Sequence, residues 1–266
     1  MEYLEFILYG LIQGLTEFIP VSSTAHLKII SLLFGIDDPG TSISAVIQIG
    51  SVLALFWYFR RDLFLYKKSK FNKNLNSFLS LKLLKSIFIG TLPIIFFGGI
   101  IKLFIPGFFE SILRSNLSIG VVSLLMALLM YIADLSKDRF INIPNHKYQD
   151  SFLIGIVQAF AIIPGVSRSG ITISTALLTG WEKRDAARFS FLLGIPAISL
   201  AAITEFIFSL NQYSTFSLLP LLLGLVSAFL SSLLAIHFLL SHLTSNGLKL
   251  FIYYRLVFGI LILLNL

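Results

Sequence analysis

The chain has no cysteine, which excludes disulfides, thiolate metal sites and a cysteine nucleophile. It is also poor in charge: Asp, Glu, Lys and Arg make up 12% of its 266 residues, about half the roughly 25% of a soluble domain. No polar block is long enough to build a separate soluble domain. A G-x-x-x-x-G-K-[ST] loop is missing, which argues against a nucleotide-driven enzyme. Near the start stand Glu2 and Glu5 rather than Lys or Arg. No small-residue cleavage site closes the first apolar run, so a secretory signal is not expected.

What the chain has in abundance is apolar surface: 56% hydrophobic residues and a mean hydropathy of +0.91. This predicts an all-α integral membrane protein, with 1–266 as a single membrane domain. A net charge of +7 would suggest nucleic acid in a soluble chain. Here Lys and Arg gather in short loops, which is the positive-inside pattern, and no nucleic-acid partner is expected. Six stretches can cross a hydrocarbon core, near 43–59, 86–105, 117–133, 188–209, 216–240 and 249–265. Between 60 and 85 eight Lys and Arg face Asp62 alone, which assigns that loop to the cytoplasm. The 134–150 loop and the Lys183/Arg184/Arg188 segment follow it there, with His146 expected to be solvated. The uncharged 211–217 segment falls outside.

Two segments do not fit the template of a span. Residues 3–19 and 22–36 are separated by Pro20, and residues 151–163 and 167–180 by "PGVS". Such breaks expose backbone groups that lipid cannot satisfy, so they belong inside protein or beside water. Both read as re-entrant helix-loop-helix hairpins with polar tips. They also resemble each other. "GLIQGLTEFIPVSSTA" at 10–25 lines up with "GIVQAFAIIPGVSRSG" at 155–170, pairing Gly10 with Gly155, Gln13 with Gln158 and Ser22 with Ser167 at an offset of 145. Each half, approximately 1–135 and 150–266, is then one hairpin plus three spans. An odd number of spans between the hairpins makes them enter from opposite faces, an inverted-topology repeat whose tips meet near mid-membrane.

The hairpins carry nearly all the chemistry. Gln13 and Glu17 share a helix face at i and i+4. Ser23 and His26 stand at i and i+3, so an imidazole can reach a hydroxyl one turn away. In "PGVSRSGIT", Arg168 lies between Ser167 and Ser169 at a helix start, where free N–H groups and the macrodipole favour an anion. The guanidinium adds a fork for phosphate. Together these make an oxyanion or phosphate site with a nucleophile, a base and a carboxylate able to hold a divalent metal. Taken singly, Ser169 or Thr24 would pass for helix caps and Glu17 for an ion pair with Arg168. The same costly cluster on both hairpins is what those readings leave unexplained.

At these residues the chain resembles the bacterial undecaprenyl-diphosphate phosphatase family, the bacitracin-resistance proteins. "GLTEFIPVSSTAH" and "PGVSRSGIT" are similar to its two signature motifs, and the likeness extends to "VIQIGSVLALFWYFRRD" and "ARFSFLLGIPA". The resemblance implies a multi-pass enzyme of the bacterial cytoplasmic (inner) membrane that converts undecaprenyl diphosphate to undecaprenyl phosphate and inorganic phosphate. It further implies a requirement for a divalent cation, Mg²⁺ or Ca²⁺, and a site open to the periplasmic side. The partners are then a polyprenyl diphosphate lipid and membrane lipids, and a homodimer is compatible with them. Carried over by position, the acidic pair falls on Gln13 and Glu17, which would hold the metal. Ser22, Ser23 and His26 match the serine pair and histidine, and Ser167, Arg168, Ser169 and Thr172 match the second motif. Ala25 departs from the family's usual Gly before the histidine, which would narrow the pocket slightly.

Spacing and resemblance together suggest that Ser23 attacks the terminal phosphorus with His26 as base, while Arg168 and the N–H groups near Ser167–Ser169 hold the phosphoryl oxygens. Ser22, Ser167, Ser169 and Thr172 would help bind phosphate. Ser22 is the alternative nucleophile, and direct attack by water is the alternative mechanism. The rival function is a polyprenyl-phosphate flippase or anion transporter using the same hairpin site. An acid-phosphatase-like lipid phosphatase is disfavoured, since no histidine follows Ser167-Arg168 before His237.

Overall fold

The computed structural model describes residues 2–36, 40–60, 81–104, 114–136, 139–208 and 218–264. Among them the chain forms α1 (Glu2–Phe18), α2 (Ser23–Phe34), α3 (Gly40–Tyr58), α4 (Leu81–Phe104) and α5 (Asn116–Leu135). These are followed by α6 (Tyr148–Gln158), α7 (Arg168–Leu178), α8 (Lys183–Phe208), α9 (Leu218–Asn246) and α10 (Lys249–Leu263). A 3-10 turn, Ala159–Ile162, prolongs α6. Among the described residues no strand accompanies them beyond an isolated bridge between Ile141 and Trp181.

The chain is thus all-α, and four of its helices contain segments long and apolar enough to cross a membrane: Leu81–Ile101, Asn116–Leu135, Lys183–Thr204 and Leu218–Asn246. The two other expected spans are also helices, α3 with 19 residues and α10 with 15. At 1.5 Å per residue α10 falls short of a ~30 Å hydrocarbon core. Residues 61–80, which carry most of the basic loop, and the 211–217 segment lie outside the described residues.

Both breaks form where the prolines stand. Helix α1 stops at Phe18, because Pro20 has no N–H and disfavours helical geometry in the residue before it. The 3-10 turn stops before Pro164-Gly165, and Gly165 takes φ 95°, a left-handed conformation that glycine adopts without strain.

Helices far apart in the chain pack in pairs. Helix α1 packs along α9, and its counterpart α6 packs along α4. Both pairs meet through glycine. A Cβ on Gly10 would lie 2.1 Å from the Gly224 carbonyl oxygen, and one on Gly155 would lie 2.3 Å from that of Gly90. Helices α5 and α10 meet through Gly120 and Gly259, each lying against the other's carbonyl oxygen. Lipid tails are as apolar as leucine, so membrane helices gain most from close van der Waals approach, which small residues permit.

One expectation is overturned. His146, in the 139–147 connection between α5 and α6, is buried rather than solvated, at 1% exposure. Its Nε2 lies 2.7 Å from the Ser86 hydroxyl, and its ring packs on Trp181 and Phe189. The connection folds down because Ile141 bridges to Trp181 and the Ile143 N–H donates to Asp185 at 2.8 Å. That seats the imidazole in an aromatic pocket, where burial lowers its pKa below 6.5.

Two predictions follow from packing and burial. Gly10→Ala and Gly155→Ala should each destabilise the protein by about 1–3 kcal/mol, the usual cost of overpacking. Gly99→Ala, with nothing within 4 Å of the added Cβ, should be neutral; thermal unfolding in detergent checks all three. For His146, the unfolded chain binds a proton near pH 6.5 that the folded protein resists. Stability from this group is therefore present above that pH and lost as pH falls. Melting curves between about pH 7.5 and about pH 5.5 should show this loss, and His146→Phe should flatten it.

Candidate active site

The two hairpin tips meet around a cavity of about 320 Å³. One wall is polar and is made by Glu17, Ser22, Ser23, Thr24, Ser167 and Arg168. The apolar part of the lining comes from Ile94 of α4, from Ala161–Ile163 of the second hairpin, and from Ala197, Ile198 and Ala201 of α8. Gln48 of α3 also reaches it. The cavity therefore suits a ligand with a strongly polar head and an apolar tail.

Its two ends are built alike. Ser22 and Ser167 are the N-caps of α2 and α7, with φ/ψ of 77°/103° and 68°/111°. Among the described residues they are the only non-glycine positions with positive φ. Such backbone costs about 1–3 kcal/mol and collects at functional sites. The Ser167 hydroxyl accepts from the Gly170 N–H at 3.3 Å and lies 3.2 Å from the Ser169 hydroxyl. Ser22 makes no side-chain cap bond, so its hydroxyl is not consumed by the helix it starts.

Glu17 is the hub of the polar wall. One oxygen, Oε2, accepts from the Ser23 hydroxyl at 2.9 Å and from the Gln13 amide at 2.9 Å. The other, Oε1, lies 3.8 Å from Arg168 Nη2. Arg168 reaches across from α7, with Nη1 donating to the Ser190 carbonyl at 2.9 Å. Its Nε and Nη2 are buried without a hydrogen-bond partner. A buried guanidinium with unmet donors beside a cavity is matched to an incoming oxyanion. Gly194 makes this pose possible, since a Cβ there would lie 2.4 Å from Nη1.

The expected Ser23–His26 pair is not formed. Ser23 turns to Glu17, and both ring nitrogens of His26 are engaged elsewhere. Nδ1 bonds the Ser22 carbonyl at 2.7 Å, and Nε2 meets the Tyr254 hydroxyl at 2.6 Å. The ring lies parallel to Phe258, with centroids 4.4 Å apart. The spacing that lets His26 reach Ser23 also lets it fold back onto its own helix start, and the aromatic face of α10 draws it there.

Of the nine residues singled out from sequence, Glu17, Ser22, Ser23, Ser167 and Arg168 line the cavity. Gln13, His26, Ser169 and Thr172 stand behind it. Gln13 braces Glu17, while Thr172 lies 2.6 Å from the Ser190 hydroxyl, behind the carbonyl that holds Arg168. Ser169 donates to the Ile19 carbonyl at 3.4 Å, a link between the tips. Among the described residues no group of three His, Asp or Glu side chains could hold a metal without other ligands. Sequence reasoning missed Arg255, which is fully buried on α10 and bonded to carbonyls of both tips. A lone Arg inside the apolar run "FIYYRLVFGILIL" was the available signal, since charge at membrane depth is functional by default.

Comparison with known proteins shows the family. A protein 66% identical over 266 residues, covering all of both chains, is named undecaprenyl-diphosphatase in Prochlorococcus marinus subsp. pastoris. The protein of that name in strain MIT 9312 is 68% identical over 265 residues, covering 100% of this chain and 99% of its own. One in strain MIT 9313 is 48% identical over 262 residues, covering 96% of this chain and 86% of its own. The family model described as bacitracin resistance protein BacA matches residues 6–261, and the chain belongs to that family.

Proposed function

We propose that this multi-pass membrane protein is an undecaprenyl-diphosphatase, releasing inorganic phosphate from undecaprenyl diphosphate and leaving undecaprenyl phosphate. The observation that carries the chemistry is the Ser23 hydroxyl bonded to the Glu17 carboxylate at 2.9 Å, beside Arg168 in a cavity lined by both polar and apolar side chains. The polar wall receives the diphosphate, and the side bounded by Ile94, Ile162 and Ile198 receives the start of the prenyl chain. A flippase or anion carrier needs the anion cradle but not a hydroxyl held by a carboxylate, so that reading is not favoured.

In the mechanism this geometry supports, Ser23 Oγ attacks the terminal phosphorus and its proton passes to Glu17 Oε2. The bond from phosphorus to the bridging oxygen breaks, and the proton goes with the departing lipid phosphate. Glu17 then takes a proton from water as the water oxygen attacks the phosphoserine, and returns it to Ser23 as that bond breaks. Arg168 Nε and Nη2 and the first N–H groups of α7 hold the transferring oxygens, where charge develops. His26 serves by fixing the Ser22 carbonyl, and so the turn that presents Ser23. Ser22, the alternative nucleophile, also lines the cavity.

The oxygen donors here fit a hard cation that arrives with the diphosphate, of the Mg²⁺ or Ca²⁺ class. Glu17 would hold it, with Gln13 bracing the carboxylate from behind, and it would offset charge on the diphosphate. We assign the protein to the bacterial cytoplasmic membrane with the site open to the periplasmic face, where recycling the lipid carrier for cell-wall synthesis would counter bacitracin.

Purified protein in detergent should release phosphate from a polyprenyl diphosphate and stop on addition of EDTA. Ser23→Ala and Glu17→Gln should each lower the rate by about 10²–10⁴-fold, and a labelled phosphoserine should be trapped in the parent but not in Ser23→Ala. Failure to trap it from active protein would shift the mechanism to direct attack by water; no release with any divalent cation would falsify the phosphatase reading. Gly194→Ala should displace the Arg168 guanidinium and cost roughly 10–100-fold in kcat, with the melting temperature little changed.

A further inference from the structure

We infer that Arg255 is a positioning residue for the hydrolysis, because it ties the two hairpin tips together from α10. The inference rests on the phosphatase reading only for its kinetic consequence. Arg255 is 0% exposed and does not line the cavity. Its Nη1 donates to the Pro20 carbonyl at 3.3 Å and to the Val166 carbonyl at 3.2 Å, and its Nη2 donates to the Gly165 carbonyl. All three acceptors lie in the breaks between helices, where no intrahelical N–H serves them. One guanidinium nitrogen therefore joins the turn leading into Ser22-Ser23 to the turn leading into Ser167-Arg168.

The surroundings support the assignment. The carbonyl of Arg255 accepts from the Ser123 hydroxyl at 3.2 Å, which fixes α10 to α5 at this residue. Its neighbours on α10 hold the first hairpin as well: Tyr254 bonds His26 and Phe258 stacks on it. Among the described residues the tips are otherwise linked by Ser169 to Ile19, a long 3.4 Å, and by the 3.8 Å approach of Arg168 Nη2 to Glu17. Glu17 and Ser23 stand on one tip and Arg168 on the other, so the distance over which a phosphoryl group is attacked depends on how the tips are held. The planar guanidinium fixes three directions at once, Nη1 toward Pro20 and Val166 and Nη2 toward Gly165; an ammonium on a flexible stem is not held in one orientation by its own geometry.

The test uses the full chain with Arg255→Gln and Arg255→Lys. The absence of cysteine allows spin labels to be placed cleanly through Leu33→Cys on α2 and Phe160→Cys on the second hairpin, both exposed. Both Arg255 variants should lose about 10–100-fold in kcat with KM within roughly threefold, and the inter-label distance distribution should broaden. Arg255→Lys, which keeps the charge, also serves if Arg255→Gln does not fold. Parent-like kcat, or lost kcat with an unchanged distribution, overturns the proposal. If the parent releases no phosphate, the phosphatase reading fails instead, and the label distances alone decide whether Arg255 ties the tips.

Discussion

An unpartnered peptide group costs several kcal/mol in hydrocarbon, and this chain interrupts helices twice within its apolar mass. Every other feature of the site answers to that constraint. The carbonyls of Pro20, Gly165 and Val166 are met by Arg255, and the Ile19 carbonyl by Ser169. The polar groups that satisfy the breaks bring charge and hydroxyls into a place that would otherwise exclude them. A fully buried guanidinium is itself expensive, so Arg255 and the tips depend on one another.

Close helix approach keeps the tips from drifting. Gly10 and Gly14 let α1 lie against the backbone of α9, and Gly155 lets α6 lie against that of α4. Each hairpin is thereby fastened along its first arm to a long helix. Helix α8 then closes the site from the side, offering the Ser190 carbonyl to Arg168 and a bare Gly194 beneath its guanidinium. The span rich in small residues that follows the second hairpin is thus a seat for a side chain as well as a packing surface.

Much of this was legible in the sequence because it rests on local chemistry. Proline, or Pro-Gly amid hydroxyls, breaks a helix wherever it stands, so both hairpins could be placed, and the offset of 145 could be seen by aligning them. Glu17 and Arg168 were legible because ionisable groups in apolar runs need a reason. What spacing does not determine is which of two partners a side chain takes. Ser23 can reach back to Glu17 or forward to His26, and the choice was made by Tyr254 and Phe258, more than 220 residues away. His146 was misjudged for the same reason: its pocket is built by Ser86, Trp181 and Phe189, none of them nearby in the chain.

The site depends on the two tips being unequal. At the offset of 145, Glu17 faces Ile162 and Ser23 faces Arg168, while Gln13 and Gln158 are retained. Gln13 has a carboxylate to brace; Gln158 has an isoleucine four residues on, and its buried amide has no hydrogen-bond partner. Two identical tips would bring together either two carboxylates, which would repel a diphosphate, or two guanidiniums, which would bind it with no base at hand. One tip that withdraws a proton and one that holds an anion can transfer a phosphoryl group between them. The strained serines at 22 and 167 are the shared frame that aims both, and the divergence around that frame divides the chemistry between them.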